Sequence, residues 1–141
     1  MSVSDEDVYA LVLHDGANPS TGGIAICGFS TVGMVGVIAA SHIINSLKLT
    51  QVGTVLNRQF PAIALVHDEV PKHPVRVYQG PKVGVFTAEI QFPTSQDVRF
   101  ANTVLDWFIK GEFERLIIID GITQQESEQE GELFGIGSSP D

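Results

Sequence analysis

The sequence is short of cysteine, of positive charge and of long apolar runs, and each shortage removes a class of protein. A single cysteine, Cys27, excludes an intrachain disulfide, and its place inside an apolar run makes a buried, inert thiol the expected state. Lys and Arg number 8 against 17 Asp and Glu, for a formal net charge of −9. Such a chain repels a phosphate backbone, and no basic cluster interleaved with aromatics offsets the repulsion, so nucleic acid is excluded as a partner. The longest apolar run, residues 32–40, falls short of the ~20 residues that span a bilayer. The first seven residues hold three acids and no basic n-region of a secretory signal. A soluble, cytoplasmic protein without a membrane partner is expected.

What is present is enough for a core. With 141 residues, 43% apolar and 18% charged, the chain reads as one domain over 1–141. Its centre is the stretch 23–48, an apolar strand, a glycine-rich turn and a helix. Ile24, Ala25, Ile26 and Cys27 form a continuous apolar run bounded by glycines, the pattern of a strand covered on both faces. After Gly28, Ser30 or Thr31 is placed to cap the next helix through its hydroxyl. At a hundred degrees per residue, Gly33, Gly36, Val37, Ala40, Ile43, Ile44 and Leu47 share the core side. Met34, Val35 and Ile38 begin the opposite side, which turns polar only from Ser41 onward. That apolar first half calls for a further cover, from a later segment or another subunit.

Elsewhere the pattern predicts strands over 8–13, 51–56, 62–66, 75–78 and 83–87, with Gly80-Pro81 short enough for a hairpin and hence a mixed sheet. A second helix opens near Pro93, with Thr94 and Asp97 spaced as a capping box. Ala101, Val104, Leu105 and Phe108 are its expected core stripe, and Phe100 and Trp107 an outer shoulder that again asks for a cover. Residues 116–119 are all branched and read as the central parallel strand. Residues 124–132 read as a polar loop or poor helix, and 133–136 as a last strand.

The chemistry-bearing residues are sparse. Gly28, Ser30, Thr31 and Gly33 form a turn that invites an anion at a helix start, but the spacing is neither G-x-G-x-x-G nor a P-loop, and close packing explains the glycines. His14, His42, His67 and His73 lie on different elements, with no metal-site spacing, so neither metal nor cofactor is implied. His67-Asp68-Glu69 with Lys72 and His73 is the densest ionisable group and reads as a solvated loop. Glu89 and Asp120 leave strand ends, where ligands of open α/β sheets bind. An enzyme would use one as base and the Ser30-Thr31 turn for an anion, although turn formation accounts for the same residues.

Taken together, Gly28-Phe29-x-x-x-Gly33-x-Val35-Gly36, Phe60-Pro61-x-Ile63-Ala64-Leu65-Val66-x-Asp68, Pro71-x-x-Pro74-Val75-Arg76-Val77-Tyr78, Thr87-Ala88-Glu89, Leu105-Asp106-Trp107 and Asp120-Gly121-Ile122 resemble the proteasome assembly chaperone family, in particular its archaeal and bacterial members. The resemblance implies a three-layer α/β/α domain with a mixed, mainly parallel sheet, similar to the nucleoside phosphorylase and hydrolase architecture. It implies protein contacts in place of catalysis, self-association, and in some members help to proteasome α-subunits in forming rings. Docking members of the family carry a C-terminal tail of the hydrophobic-Tyr-X type, where this chain reads Ser138-Ser139-Pro140-Asp141, and longer members continue with more strand and helix. The expectation is a non-enzymatic chaperone-like homo-oligomer joined through Met34, Val35, Ile38, Phe100 and Trp107, with proteasome α-subunits as a candidate partner. The alternative is a small-molecule enzyme, phosphorylase-like or a carboxylate–amine ligase.

Overall fold

The computed structural model describes residues 9–18, 20–91, 94–123 and 133–140; the predicted loop at 124–132 lies outside them. In chain order the elements are β1 (Ala10–Leu13), β2 (Ile24–Phe29), α1 (Val35–Ser46), β3 (Thr50–Leu56), β4 (Leu65–His67), β5 (Val70–Lys72), β6 (Val75–Gly80), β7 (Val83–Ala88), α2 (Asp97–Lys110) and β8 (Arg115–Ile119). Six strands form one sheet in the order β1-β3-β6-β7-β2-β8, and β4 and β5 make a separate hairpin. The pairings of β2 with β7 and β8 are parallel and the other three in the sheet antiparallel, so β2, β3, β7 and β8 run one way and β1 and β6 the other.

One helix covers each face. Alternation along a strand sends successive side chains to opposite sides, so Ala25 and Cys27 of β2 join Val75, Val77 and Phe86 under α2, while Ile26 joins Tyr78 and Val85 under Ala40 of α1. The result is an α/β/α domain. Its two central strands are β6 and β7, buried on both faces and joined by the two-residue turn Pro81-Lys82.

The strand predicted as central is an edge. β8 pairs only with β2 among the described residues, and Ile118 is 55% exposed. An all-branched run reports that a strand wants cover on both faces, not that it receives it, and here the β6–β7 hairpin takes the middle of the sheet. Residues 133–136 form no strand, and Leu133 and Ile136 stand in the open.

Helix α2 is rotated from its predicted setting. Its buried stripe is Phe100, Thr103, Val104 and Trp107, with Ala101 and Leu105 on the exposed flank. Phe100 is 8% and Trp107 2% exposed, so both are withdrawn from the expected interface. The physical reason is size. The space between α2 and the sheet is filled by rings, Trp107 against Phe86 at 5.5 Å and Phe113 at 4.9 Å, and Phe100 against Phe29 at 5.2 Å and Phe86 at 5.6 Å between centroids. Large aromatics bury more apolar area than Ala and Leu could, so the wide shoulder becomes the seam. The helix starts at Asp97 with Gln96 at its N-cap, not Thr94, and makes no side-chain capping bond.

Cys27 is fully buried, and burial pushes its thiol up to about 12 from an ordinary value of 9.0. The unfolded chain therefore gives up this proton about three pH units before the folded one. Above pH ~9 the folded state binds more protons, so stability should fall by about 1.4 kcal/mol per pH unit until pH ~12 and be insensitive to this group below pH ~9. Thiol labelling at pH 8 should occur only in denaturant; fast labelling of the native protein would contradict the burial.

Candidate functional site

The turn between β2 and α1 sets the geometry of the surface. Gly28 and Gly36 bring strand and helix into backbone contact: a Cβ on Gly28 would lie 2.1 Å from the Gly36 carbonyl oxygen, and one on Gly36 would lie 2.5 Å from that of Ile119. Gly33 is different. A Cβ there would meet only Val35 Cγ2 at an ordinary 3.6 Å, and the glycine is required by its backbone, at φ +69° in a short turn of 3₁₀ helix, Val32–Met34. Met34 follows at φ +57°, a left-handed conformation that costs a non-glycine residue about 1 kcal/mol. Neither Ser30 nor Thr31 caps α1. The chain reaches the helix through Met34, which makes no side-chain capping bond, and the Thr31 hydroxyl instead donates to Asp120 Oδ1.

This backbone lifts Val32, Met34, Val35 and Ile38 out of the core. All four are exposed, Ile38 by 63%. A Cβ on Gly121 would lie 3.1 Å from Val35 Cγ2, so the segment leaving β8, with exposed Ile122, runs beside them. Ile117 pairs with Ile26 and shares the α1 face at the open edge. Across the sheet, Phe29, Phe100, Ala101, Val104, Leu105, Leu116 and Ile118 line an apolar groove of about 380 Å³ between α2 and β8, with Asp97 as its one charged residue. Apolar surface therefore flanks the β8 edge on both faces.

The candidate acids do not converge. Glu89 Oε2 accepts from Arg76 Nη2 at 2.8 Å, while Asp120 Oδ1 accepts from Thr31 and from the Gly121 N–H at 2.7 Å. The crevice beyond the strand ends, about 310 Å³, is lined by Phe29, Ser30, Thr31, Ile90, Gln91, Asp97 and Phe100, and by neither acid. The Gly28-Ser30-Thr31-Gly33 turn already faces a carboxylate, which opposes an anion there. Among the described residues no group of His, Cys, Asp or Glu is placed to hold a metal, and no helix is long and apolar enough to cross a membrane.

The pattern of residues missed one assembly. The β4–β5 hairpin, built from the end of the predicted strand 62–66 and from the predicted solvated loop that follows it, folds over the α1 face beside β6. There Arg76, 3% exposed, donates from Nε to the Tyr78 hydroxyl at 2.9 Å, from Nη1 to the His73 carbonyl at 2.8 Å and from Nη2 to Glu89. His67 Nε2 stands 3.7 Å from the same Glu89 oxygen. The signal was available: Arg76 and Tyr78 are two apart and so share a face, and the β6–β7 hairpin register places Thr87 opposite Arg76, bringing Glu89 into reach.

Fold and surface together define an α/β/α domain with an apolar, open parallel edge and no converging catalytic acids among its described residues. Residues 25–141 match the PAC2 family, and the chain belongs to that family. No curated protein matches it. Among solved structures it is similar to Pyrococcus furiosus PbaA, an archaeal homolog of proteasome-assembly chaperone, whose monoclinic form gives a TM-score of 0.76 at 24% identity over 88% of this chain and 50% of that one. A further PbaA structure gives 0.66 at 27% identity over 78% and 47%. Pyrococcus furiosus PbaB, an archaeal proteasome activator, gives 0.68 at 20% over 88% and 55%. The chain thus spans about half the length of these structures.

Proposed function

We propose that the protein is a proteasome-assembly-chaperone-like factor that acts through protein contacts, with proteasome α-subunits and further copies of itself as partners. Membership of the PAC2 family and likeness to PbaA and PbaB support the reading. The observation that carries it is the exposed apolar surface of Val32, Met34, Val35 and Ile38, continued by Ile117 and Ile122 at the β8 edge. Contiguous apolar surface of this kind marks a contact site. Complete burial of one such side chain stabilises a complex by roughly 1.5–3 kcal/mol, so a few of them suffice for a micromolar interaction after association entropy.

Sedimentation with purified proteasome α-subunits tests this. The native chain should co-sediment, and the double variant Val35→Glu, Ile38→Glu should bind at least about tenfold more weakly while melting within a few degrees of it, because both side chains are already exposed. Absence of any complex, or equal binding by the variant, would remove the proposal.

A further inference from the structure

We infer that the cavity between α1, β6 and the β4–β5 hairpin is a binding site for a small anion bearing a carboxylate or phosphate group. The cavity is about 560 Å³ and is lined by Ser41, Ile44, Asn45, Lys48, Leu49, His67, Asp68, Lys72, Arg76 and Tyr78. Its charge runs against that of the molecule. The chain has only 8 Lys and Arg and a formal net charge of −9, yet Lys48, Lys72 and Arg76 meet here with Asp68 as the single lining acid. A concave surface with an excess of one sign of charge concentrates field and draws in counter-ions.

The cations are also differently engaged. Arg76 is the fixed one, held by Glu89, Tyr78 and the His73 carbonyl. The lysines make no ion pair among the described residues; Lys72 Nζ sits 5.9 Å above the Tyr78 ring, a contact that positions the ammonium without neutralising it. Tyr78, 5% exposed, accepts from Arg76 through its oxygen and keeps its own O–H to donate. Ser41 and Asn45 add neutral donors from α1. Two ammonium groups, a buried phenol and an amide around one cavity suit an oxyanion, and nothing in that set distinguishes carboxylate from phosphate. The cavity lies on β6 and the hairpin, apart from the apolar edge of β8, so it stands independently of the proposed protein contacts.

Isothermal titration at fixed ionic strength with inorganic phosphate and, separately, citrate tests it, with sodium chloride as the reference. At least one probe should bind saturably at one site per chain, and the probe that does so identifies the source. The double variant Lys48→Gln, Lys72→Gln should weaken that binding by about tenfold or more, since charge-assisted hydrogen bonds are lost, whereas Lys110→Gln on α2 should leave it unchanged. Saturable binding by neither probe, or binding that survives in the double variant, overturns the inference.

Discussion

Replacing Trp107 with alanine should lower the unfolding free energy by about 3–5 kcal/mol, a large share of what a domain of this size holds. The indole is 2% exposed and packs on Phe86 and Phe113, so truncation removes ring contacts from the middle of the α2 seam and leaves a cavity that neighbouring rings cannot fill. Trp107→Phe separates shape from polarity. The Nε1–H of Trp107 has no hydrogen-bond partner among the described residues, so phenylalanine keeps most of the packing and removes a donor that burial penalises. Urea denaturation should therefore rank native and Trp107→Phe close together and Trp107→Ala far below. A mild alanine variant would mean that α2 does not sit on this seam.

The second large effect lies at the other face. In Gly28→Ala the new Cβ would stand 2.1 Å from the Gly36 carbonyl oxygen and 2.7 Å from Ala40 Cβ, and neither can move without shifting α1 off the sheet. Overpacking against flexible side chains costs about 1–3 kcal/mol; against backbone on a helix, a loss at or above the top of that range is expected. Gly33→Ala meets no obstacle and loses only the left-handed preference of glycine, about 1 kcal/mol. Thermal melts should order the variants Gly33→Ala above Gly28→Ala, and the reverse order would refute the close contact of β2 and α1.

Those two glycines show what the chain made legible. The strand, turn and helix of residues 24–46 could be read because glycine spacing and a one-sided apolar pattern are local properties, and they place α1 with Val37 and Ala40 inward and Met34, Val35 and Ile38 outward. The β6–β7 hairpin was legible from its short turn. What failed depended on partners distant in sequence. The apolar content of β8 gave no hint that it would lie at an edge, since neighbours, not composition, decide that. Phe100 and Trp107 looked like a spare shoulder because a helical wheel weighs angle and not volume, whereas the sheet beneath offered Phe29, Phe86 and Phe113 to meet them. The Arg76–Glu89 pair joins two separate stretches, 71–78 and 87–89, which meet only through the β6–β7 register. A lone arginine in an otherwise apolar strand, with a tyrosine two residues on, is the feature that pointed to a buried, hydrogen-bonded charge.

The account rests on the apolar surface around the start of α1 serving to join proteins, and the mass of the free protein in solution tests it most directly. Light scattering at micromolar concentration should give a species at least twice the 15.2 kDa chain, returning to 15.2 kDa in the Val35→Glu, Ile38→Glu variant. A uniform 15.2 kDa monomer for the native protein, unchanged by those substitutions, would contradict it.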